Sequence, residues 1–341
     1  MTPLRPIEIV GGGLAGLSLG LALRRAGVPV TIFEAGTYPR HRVCGEFITG
    51  LVPATVAALG LDPFLADALP QREVAWFFRG ELSRVQHLPV PALGISRHAL
   101  DARLAGAFVA AGGDLRVGTR VANPVSRPGC VLATGRRRGR SPWIGLKFHV
   151  HELPLARDLE LHLGNDSYVG LSRIEGGLVN VCGLFRRRPL GGTGPGLLIA
   201  YLRAAGLATL ATRLAAAAID TASFCAVAAL CFGRALPRSD ESIRIGDTFA
   251  MIPPFTGNGM AMAFQSAEAV LEPLVAFAHG ARSWRETCHI AHAMLRRRFR
   301  LRLASAQMVH PFLLRPRRQR WLAALNRVRL VPLGPLYATL H

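Results

Sequence analysis

The stretch that most constrains this chain is Gly11-Gly12-Gly13-Leu14-Ala15-Gly16, which satisfies G-x-G-x-x-G. It lies between an apolar run, Ile7 to Val10, and a leucine-rich helical pattern from Leu14 to about Ala26. The run reads as a buried parallel strand. Gly27 ends the helix in the C′ role, and a second strand, Val30 to Phe33, leads to Glu34, 23 residues after Gly11. In this order Gly11 allows the tight turn, Gly13 lets the backbone approach a pyrophosphate, and Gly16 lets helix and strand pack closely. The helix N-terminus directs free N–H groups at an anion, and Glu34 stands where a carboxylate accepts hydrogen bonds from ribose hydroxyls. Gly11, Gly13, Ala15, Gly16 and Glu34 are therefore the expected dinucleotide-binding positions.

Three further segments select the dinucleotide. Gly94-Ile95-Ser96-Arg97-His98-Ala99-Leu100-Asp101 opens a helix expected to run to Ala111. Ile243-Arg244-Ile245-Gly246-Asp247 reads as a strand ending in Gly-Asp. Pro253-Pro254-Phe255-Thr256-Gly257-Asn258-Gly259-Met260 then precedes a helix expected through Leu271. Together they resemble the para-hydroxybenzoate hydroxylase-like flavoproteins. The resemblance implies that FAD is the cofactor, that Asp247 holds its ribityl chain, and that Gly257, Gly259 and Met260 face the pyrimidine end of the isoalloxazine. A helix N-terminus there would favour the negative charge of a reduced flavin by roughly 0.3–1 kcal/mol. Arg97 and Val121 complete the expected cofactor-binding set.

Tyr38-Pro39-Arg40-His41-Arg42-Val43-Cys44-Gly45-Glu46-Phe47 is similar to the segment after the second strand in geranylgeranyl reductases. The likeness implies that Cys44 and Gly45 reach the flavin and that Cys44 is the catalytic candidate in reducing an isoprenoid double bond. Glu46 is expected only to hydrogen-bond the loop backbone. Val131-Leu132-Ala133-Thr134-Gly135-Arg136 and Ile174 to Leu184 are similar to strands of the same enzymes. The fold expected is α/β: a Rossmann-type, GR2-like FAD-binding domain interleaved with an antiparallel-sheet substrate domain and a C-terminal helical region. Residues 1–80, 81–140 and 236–280 are assigned to FAD binding, 141–235 to the substrate domain and 281–341 to basic helices.

The pattern also departs from these families. Between Val121 and Cys130 only Ala122 to Gly129 remain where relatives carry a strand pair. The Asp-Gly motif of aromatic hydroxylases is replaced by Ala133-Thr134-Gly135-Arg136. No second G-x-G-x-x-G occurs, so NAD(P)H would reach the flavin transiently, or a protein electron donor would serve. Three readings stay open: a geranylgeranyl reductase-like enzyme acting on an apolar isoprenoid, polyketide or lipid-like substrate; a flavin monooxygenase of secondary metabolism; and a flavin-binding remnant without catalysis.

Trp143 to His151 reads as a strand whose alternation puts Lys147, His149 and His151 on one face. The expected reading is a polar outer face of an antiparallel sheet; an active-site face with Lys147 or a histidine as proton donor is the alternative. Six cysteines, at 44, 130, 182, 225, 231 and 288, have neither disulfide-scaffold nor zinc spacing and are expected mostly as small buried side chains. Half of the 341 residues are hydrophobic and 18% are charged, which excludes a disordered chain. The formal charge of +20, almost all of it arginine, should attract an anionic membrane surface or an acidic protein. Nucleic acid is disfavoured as a partner because no binding motif appears. The best apolar stretch, Leu207 to Phe232, contains Arg213 and Asp220, so a cytoplasmic or peripheral-membrane protein is expected. From Trp284 to Leu340, prolines 311, 316, 332 and 335 are expected to divide a basic segment into short helices. Their arginines are read as solvated helix faces, with docking to membrane or a carrier protein as the alternative.

Overall fold

Two sheets absorb the strands, and the chain crosses between them several times. The computed structural model describes residues 3–122, 127–136, 139–234, 241–315, 317–321 and 339. In chain order the elements are β1 (Ile7–Val10), α1 (Leu14–Arg25), β2 (Val30–Phe33), β3 (Phe47–Ile48), α2 (Pro53–Leu59), α3 (Asp62–Leu65), β4 (Leu69–Phe78) and β5 (Glu81–Gly94). Next come α4 (Arg97–Ala110), β6 (Asp114–Arg116), β7 (Cys130–Leu132), β8 (Trp143–His151), β9 (Leu159–Gly164), β10 (Ser167–Arg173) and β11 (Leu178–Arg186). The chain continues through α5 (Gly194–Ala204), α6 (Ala208–Ala215), β12 (Ile219–Ala228), β13 (Gly233–Arg234), β14 (Ile243–Arg244), β15 (Ala250–Met251), α7 (Gly259–Ala278) and α8 (Trp284–Leu314).

The first sheet is parallel, in the order β14-β7-β1-β2-β6, as the N-terminal motif requires. Helix α1 is apolar on nearly every side, with Leu17, Leu19, Leu21 and Leu23 all buried, because it is wedged between this sheet, α4 and α7. Its core cluster extends through Phe264, Val270 and Leu274 of α7 to Leu295 and Phe299 of α8.

The second sheet has eight strands in the order β12-β8-β11-β10-β9-β4-β5-β3. It is antiparallel except where β4 pairs parallel with β9, so it is a mixed sheet. Its β3, β4 and β5 come from residues 47–94, so this sheet is not confined to the stretch after residue 141. Helices α5 and α6 cover one of its faces and pack on Ile144, Leu146, Phe148 and Val150 of β8. The other face looks towards the parallel sheet.

One expectation is corrected here. The basic C-terminal segment begins as one 31-residue helix that continues through Pro311. Burial of His310, Leu313 and Leu314 around the proline offsets its cost of about 3 kcal/mol; positions 316, 332 and 335 lie outside the described residues. The stretch Leu207 to Phe232 is α6 followed by β12, and no described helix is long and apolar enough to cross a membrane. Among the described residues no strand lies between Arg116 and Cys130; residues 123–126 lie outside them.

Gly16 has a packing consequence that can be measured. A Cβ there would stand 2.0 Å from the Gly11 carbonyl oxygen and 3.2 Å from Ile9. Gly16→Ala is expected to cost about 1–3 kcal/mol, the usual penalty of overpacking, read as a lower denaturation midpoint in urea with an unchanged slope.

Candidate active site

A single cavity of about 940 Å³ runs from the N-terminal glycine turn to the inner face of the second sheet. Gly11, Gly13, Ala15, Glu34, Cys44, Gly45, Arg97, Val121, Asp247, Gly257, Gly259 and Met260 all line it. Twelve positions spread over 250 residues of chain are thus brought to one space. Gly16 does not line it; it serves only the close approach of α1 to the end of β1. Gly11, at φ +113, has the carbonyl of Ala133 where a Cβ would be. A Cβ on Gly13 would meet only Arg97 Nη2, at 3.9 Å, and would otherwise project into the cavity.

The polar end is dense with arginine. Glu34 accepts from the N–H groups of Gly12 and Gly36, each at 2.8 Å, and from Arg40 at 2.6 Å. Burial works against its ionisation, but Gly36, Arg40, Arg42 and Gly12 outweigh that and hold the carboxyl below its ordinary value. Arg97 forks onto Asp101 at 2.7 and 2.8 Å, and Arg42 reaches Asp101 at 2.9 Å. These arginines, with Asp101, complete a network of which only Arg97 was expected. Asp247 sits in a helical turn, Gly246–Thr248, directly after β14, and its carboxylate makes no hydrogen bond to the described residues. Burial raises its pKa against the pull of Arg97, Arg136 and Arg42. Gly257, at φ +68, abuts Phe47, and α7 begins at Gly259 with its N-terminus towards the cavity.

The Cys44–Gly45 wall is held from the second sheet. Asn180 of β11 donates to the carbonyls of Cys44 (3.1 Å) and Gly45 (2.7 Å), and Ser172 of β10 donates to Gly45 (2.9 Å). Burial pushes the Cys44 thiol up, with Arg97 opposing, so it is a thiol rather than a thiolate near neutral pH. Of the six cysteines, all free, only Cys130 and Cys288 are buried; Cys44, Cys182 and Cys225 are half-buried because they face the cavity.

Glu46 departs furthest from expectation. It is fully buried at φ +51 and holds far more than loop backbone. Its Oε1 accepts from the Arg97 N–H (2.9 Å) and from Lys147 Nζ (3.2 Å); its Oε2 lies 2.6 Å from His149 Nε2. Lys147 and His149 are buried too, which overturns the reading of their strand face as solvated; His151 alone is exposed. The alternation of β8 is real, but both faces are covered: residues 144, 146, 148 and 150 by α5 and α6, Lys147 and His149 by Glu46, and Gly145 by Val43 and Leu230 at the cavity wall. His41, 3.4 Å from Lys147 and stacked on His98, closes the group. Its pKa is lowered to about 4 by burial, then by Lys147, His98 and His149, so it is neutral at pH 7. One sequence signal for this cluster was available: Lys147 is the only lysine in the chain.

The far end is apolar. Trp76, Phe77 and Phe78 of β4, Tyr168 of β10, Phe255, and Leu313 of α8 enclose it. Tyr168 accepts from the Phe255 N–H, which fixes the phenol at the chamber edge.

Glu46 carries a pH signature. Burial raises its pKa, but the His149 hydrogen bond, the Lys147 charge and the Arg97 N–H together hold it below 4.5. A depressed carboxyl contributes stability that is complete above its unfolded value and is lost as pH falls through the folded one. Glu46→Gln leaves the Lys147 ammonium without a counter-charge and is expected to cost about 3–5 kcal/mol at pH 7. Denaturation across a pH series checks this: the gap between wild type and variant should narrow on acidification below pH 4.5.

Residues 9–47 match the family model of the NAD(P)-binding Rossmann-like domain. Over 66 residues the chain is 35% identical to the menaquinone reductase of Mycobacterium tuberculosis; that match covers 19% of this chain and only 16% of that protein's length. Among solved structures, p-nitrophenol 4-monooxygenase PnpA from Pseudomonas putida superposes with a TM-score of 0.76 at 15% identity, covering 100% of this chain and 97% of that one. PqsL of Pseudomonas aeruginosa, in complex with 2-aminobenzoylacetate, gives 0.73 at 16%, covering 94% and 98%. The flavin-dependent brominase Bmp2 gives 0.71 at 17%, covering 89% and 88%. The N-terminal segment is therefore similar to the NAD(P)-binding Rossmann-like domain, and the chain as a whole shares the fold of these flavoenzymes.

Proposed function

We propose that the chain is an FAD-dependent oxidoreductase of the monooxygenase type that uses NAD(P)H and acts on an apolar, ring-containing substrate. The observation that carries this reading is the single cavity joining the Gly11–Gly13 turn, the unengaged Asp247 carboxylate and an aromatic chamber. Its polar half fits a dinucleotide. Gly13 leaves room for a pyrophosphate beside the N-terminus of α1, Arg40, Arg42 and Arg97 offset its charge, and Glu34 and Asp247 are acceptors for sugar hydroxyls. Gly257, Gly259 and Met260, at the start of α7, are assigned to the pyrimidine end, and Arg97 and Val121 to the flanks. Bound FAD would supply the redox chemistry.

The chain's own residues bind, orient and dry. Trp76, Phe77, Phe78 and Phe255 exclude water and suit a flat apolar ring. Asn180 and Ser172 hold the Cys44–Gly45 backbone still, and the Cys44 thiol keeps its proton. The monooxygenase neighbours support this reading, as does the lack of charged side chains among the described residues of the chamber wall. A second reading, reduction of a double bond in a geranylgeranyl reductase-like manner, draws on Cys44–Gly45 at the cavity wall and on the local likeness to menaquinone reductase.

Gly13→Val is expected to keep the fold but retain less than a tenth of the wild-type flavin; full flavin absorbance in that variant would refute the site. NAD(P)H oxidation with a panel of phenols and anilines, followed by mass spectrometry of the products, tests the activity. Incorporation of one oxygen atom is the expected outcome. Anaerobic saturation of an isoprenoid alkene, lost in Cys44→Ala, would decide for the second reading. Absence of turnover in either assay would leave only flavin binding.

A further inference from the structure

The last 55 residues, from Thr287 to His341, contain eleven arginines and neither aspartate nor glutamate. More than half of the formal charge of +20 thus comes from one sixth of the chain. Some of these arginines are engaged internally: Arg298 with Glu268 at 2.8 Å, and Arg302, buried, with Gln265 at 2.7 Å. Arg296, Arg297, Arg300 and Arg315 stand exposed along α8 and just after it.

Beside them runs an apolar stripe. Met294, Leu301, Met308 and Phe312 are all exposed, Leu301 and Met308 each at 68%. Their separations of seven, seven and four residues put them on one side of the helix. Trp321 continues the apolar surface at 70% exposure, and Arg318 lies over the Phe312 ring at 5.2 Å from its centroid. A helix with large apolar side chains on one strip, arginines beside it and no acid beyond Glu286 in its first turn has the makeup of a segment lying in a membrane interface. Tryptophan and arginine are the residues that anchor at that depth.

The opposite face of the same helix points inwards. Val309 and Leu313 line the cavity, and Leu314 is buried in the apolar cluster of the second sheet. The exposed stripe and the cavity wall are therefore separated by the thickness of one helix, about 10–12 Å.

We propose that the outer face of α8, continued by residues 317–321, docks on an anionic lipid bilayer. Leu301, Met308, Phe312 and Trp321 enter the interface, and Arg296, Arg297, Arg300 and Arg315 engage lipid phosphates. Lipid fits better than an acidic protein because four of these contact residues are large apolar side chains in a continuous strip. This placement sets the substrate chamber beside a reservoir of apolar molecules, and it stands whether the reaction is hydroxylation or reduction.

The test is co-sedimentation of the full chain with two kinds of vesicle: pure phosphatidylcholine, and phosphatidylcholine with one third phosphatidylglycerol. Partitioning onto the anionic vesicles is expected to exceed that onto the neutral ones at least tenfold at low salt and to fall as salt rises. Leu301→Glu/Met308→Glu should lower it at least tenfold with an unchanged thermal melt. Arg296→Gln/Arg297→Gln/Arg300→Gln should lower it and flatten its salt dependence. If the glutamate pair fails to fold, Leu301→Ser/Met308→Ser is read instead. Equal binding to both vesicles, no binding, or wild-type binding by the apolar double variant overturns the proposal. So does a wild-type dimer that ignores vesicles and becomes monomeric in that variant, which would assign the stripe to a second copy of the chain.

Discussion

A carboxylate removed from water must be matched by charge and hydrogen bonds, and in this molecule the matching of Glu46 joins the two sheets. The segment carrying it leaves β2 of the parallel sheet and ends in β3, at the edge of the mixed sheet. The carboxylate takes a hydrogen bond from the first residue of α4, on the cofactor side, and meets Lys147 and His149 of β8 on the other. An ion that is fully buried tolerates little displacement of its partners, so Glu46 ties β8 and α4 to the Cys44–Gly45 wall. The left-handed backbone at Glu46 fits this account: a non-glycine residue stays in that region only where its surroundings over-determine it.

The arginines at the other end follow the same logic with the signs reversed. Glu34 and Asp101 face Arg40, Arg42 and Arg97, and Arg120 and Arg136 also line the space. Even with Asp247 counted, three carboxylates face five guanidiniums, and the surplus is positive where α1 begins. Arginine forks are rigid and bidentate, so the excess is presented in a fixed geometry. Asp247 shows the complement: a carboxylate with no hydrogen-bonding partner among the described residues, raised by burial, on the same cavity.

How much of this was legible in the sequence depended on how local each determinant is. The strand, glycine turn, helix, strand and acid from Ile7 to Glu34 follow one another within 28 residues, and each has its own chemical signature, so they were readable in full. So was the return of the chain to the same sheet near Asp247, because a Gly-Asp strand end and a glycine-led helix are local patterns too. The chamber was not. Alternation in Trp143–His151 located the strand and its two faces correctly, but alternation reports only which residues share a face, not what covers it. Lys147 and His149 look solvated until Glu46, a hundred residues earlier in the chain, is brought against them. Asn180 and Ser172 carried no signal at all; they are ordinary polar residues in strands, given meaning by the two carbonyls they hold.

The C-terminal helix escapes the sequence pattern for a related reason. Proline marks a boundary in an isolated helix, but Pro311 lies in the last turn, where tertiary contacts decide. His310 is surrounded by the rings of Trp143, Tyr168, Phe232 and Phe255, the last stacked at 9°. Burial lowers its pKa to about 4, so at neutral pH it packs among them as an uncharged ring. With Leu313 and Leu314 it presses this turn onto the inner sheet, and the helix holds its course because its end has been fixed from outside. The chamber therefore has no wall belonging to one domain alone. Its floor comes from the Cys44 segment, its sides from β4, β9, β10 and β11, and its far closure from a helix distant in sequence from all of them. That arrangement explains why the cofactor motifs are contiguous and recognisable while the surfaces that select a substrate are assembled from residues with no pattern of their own.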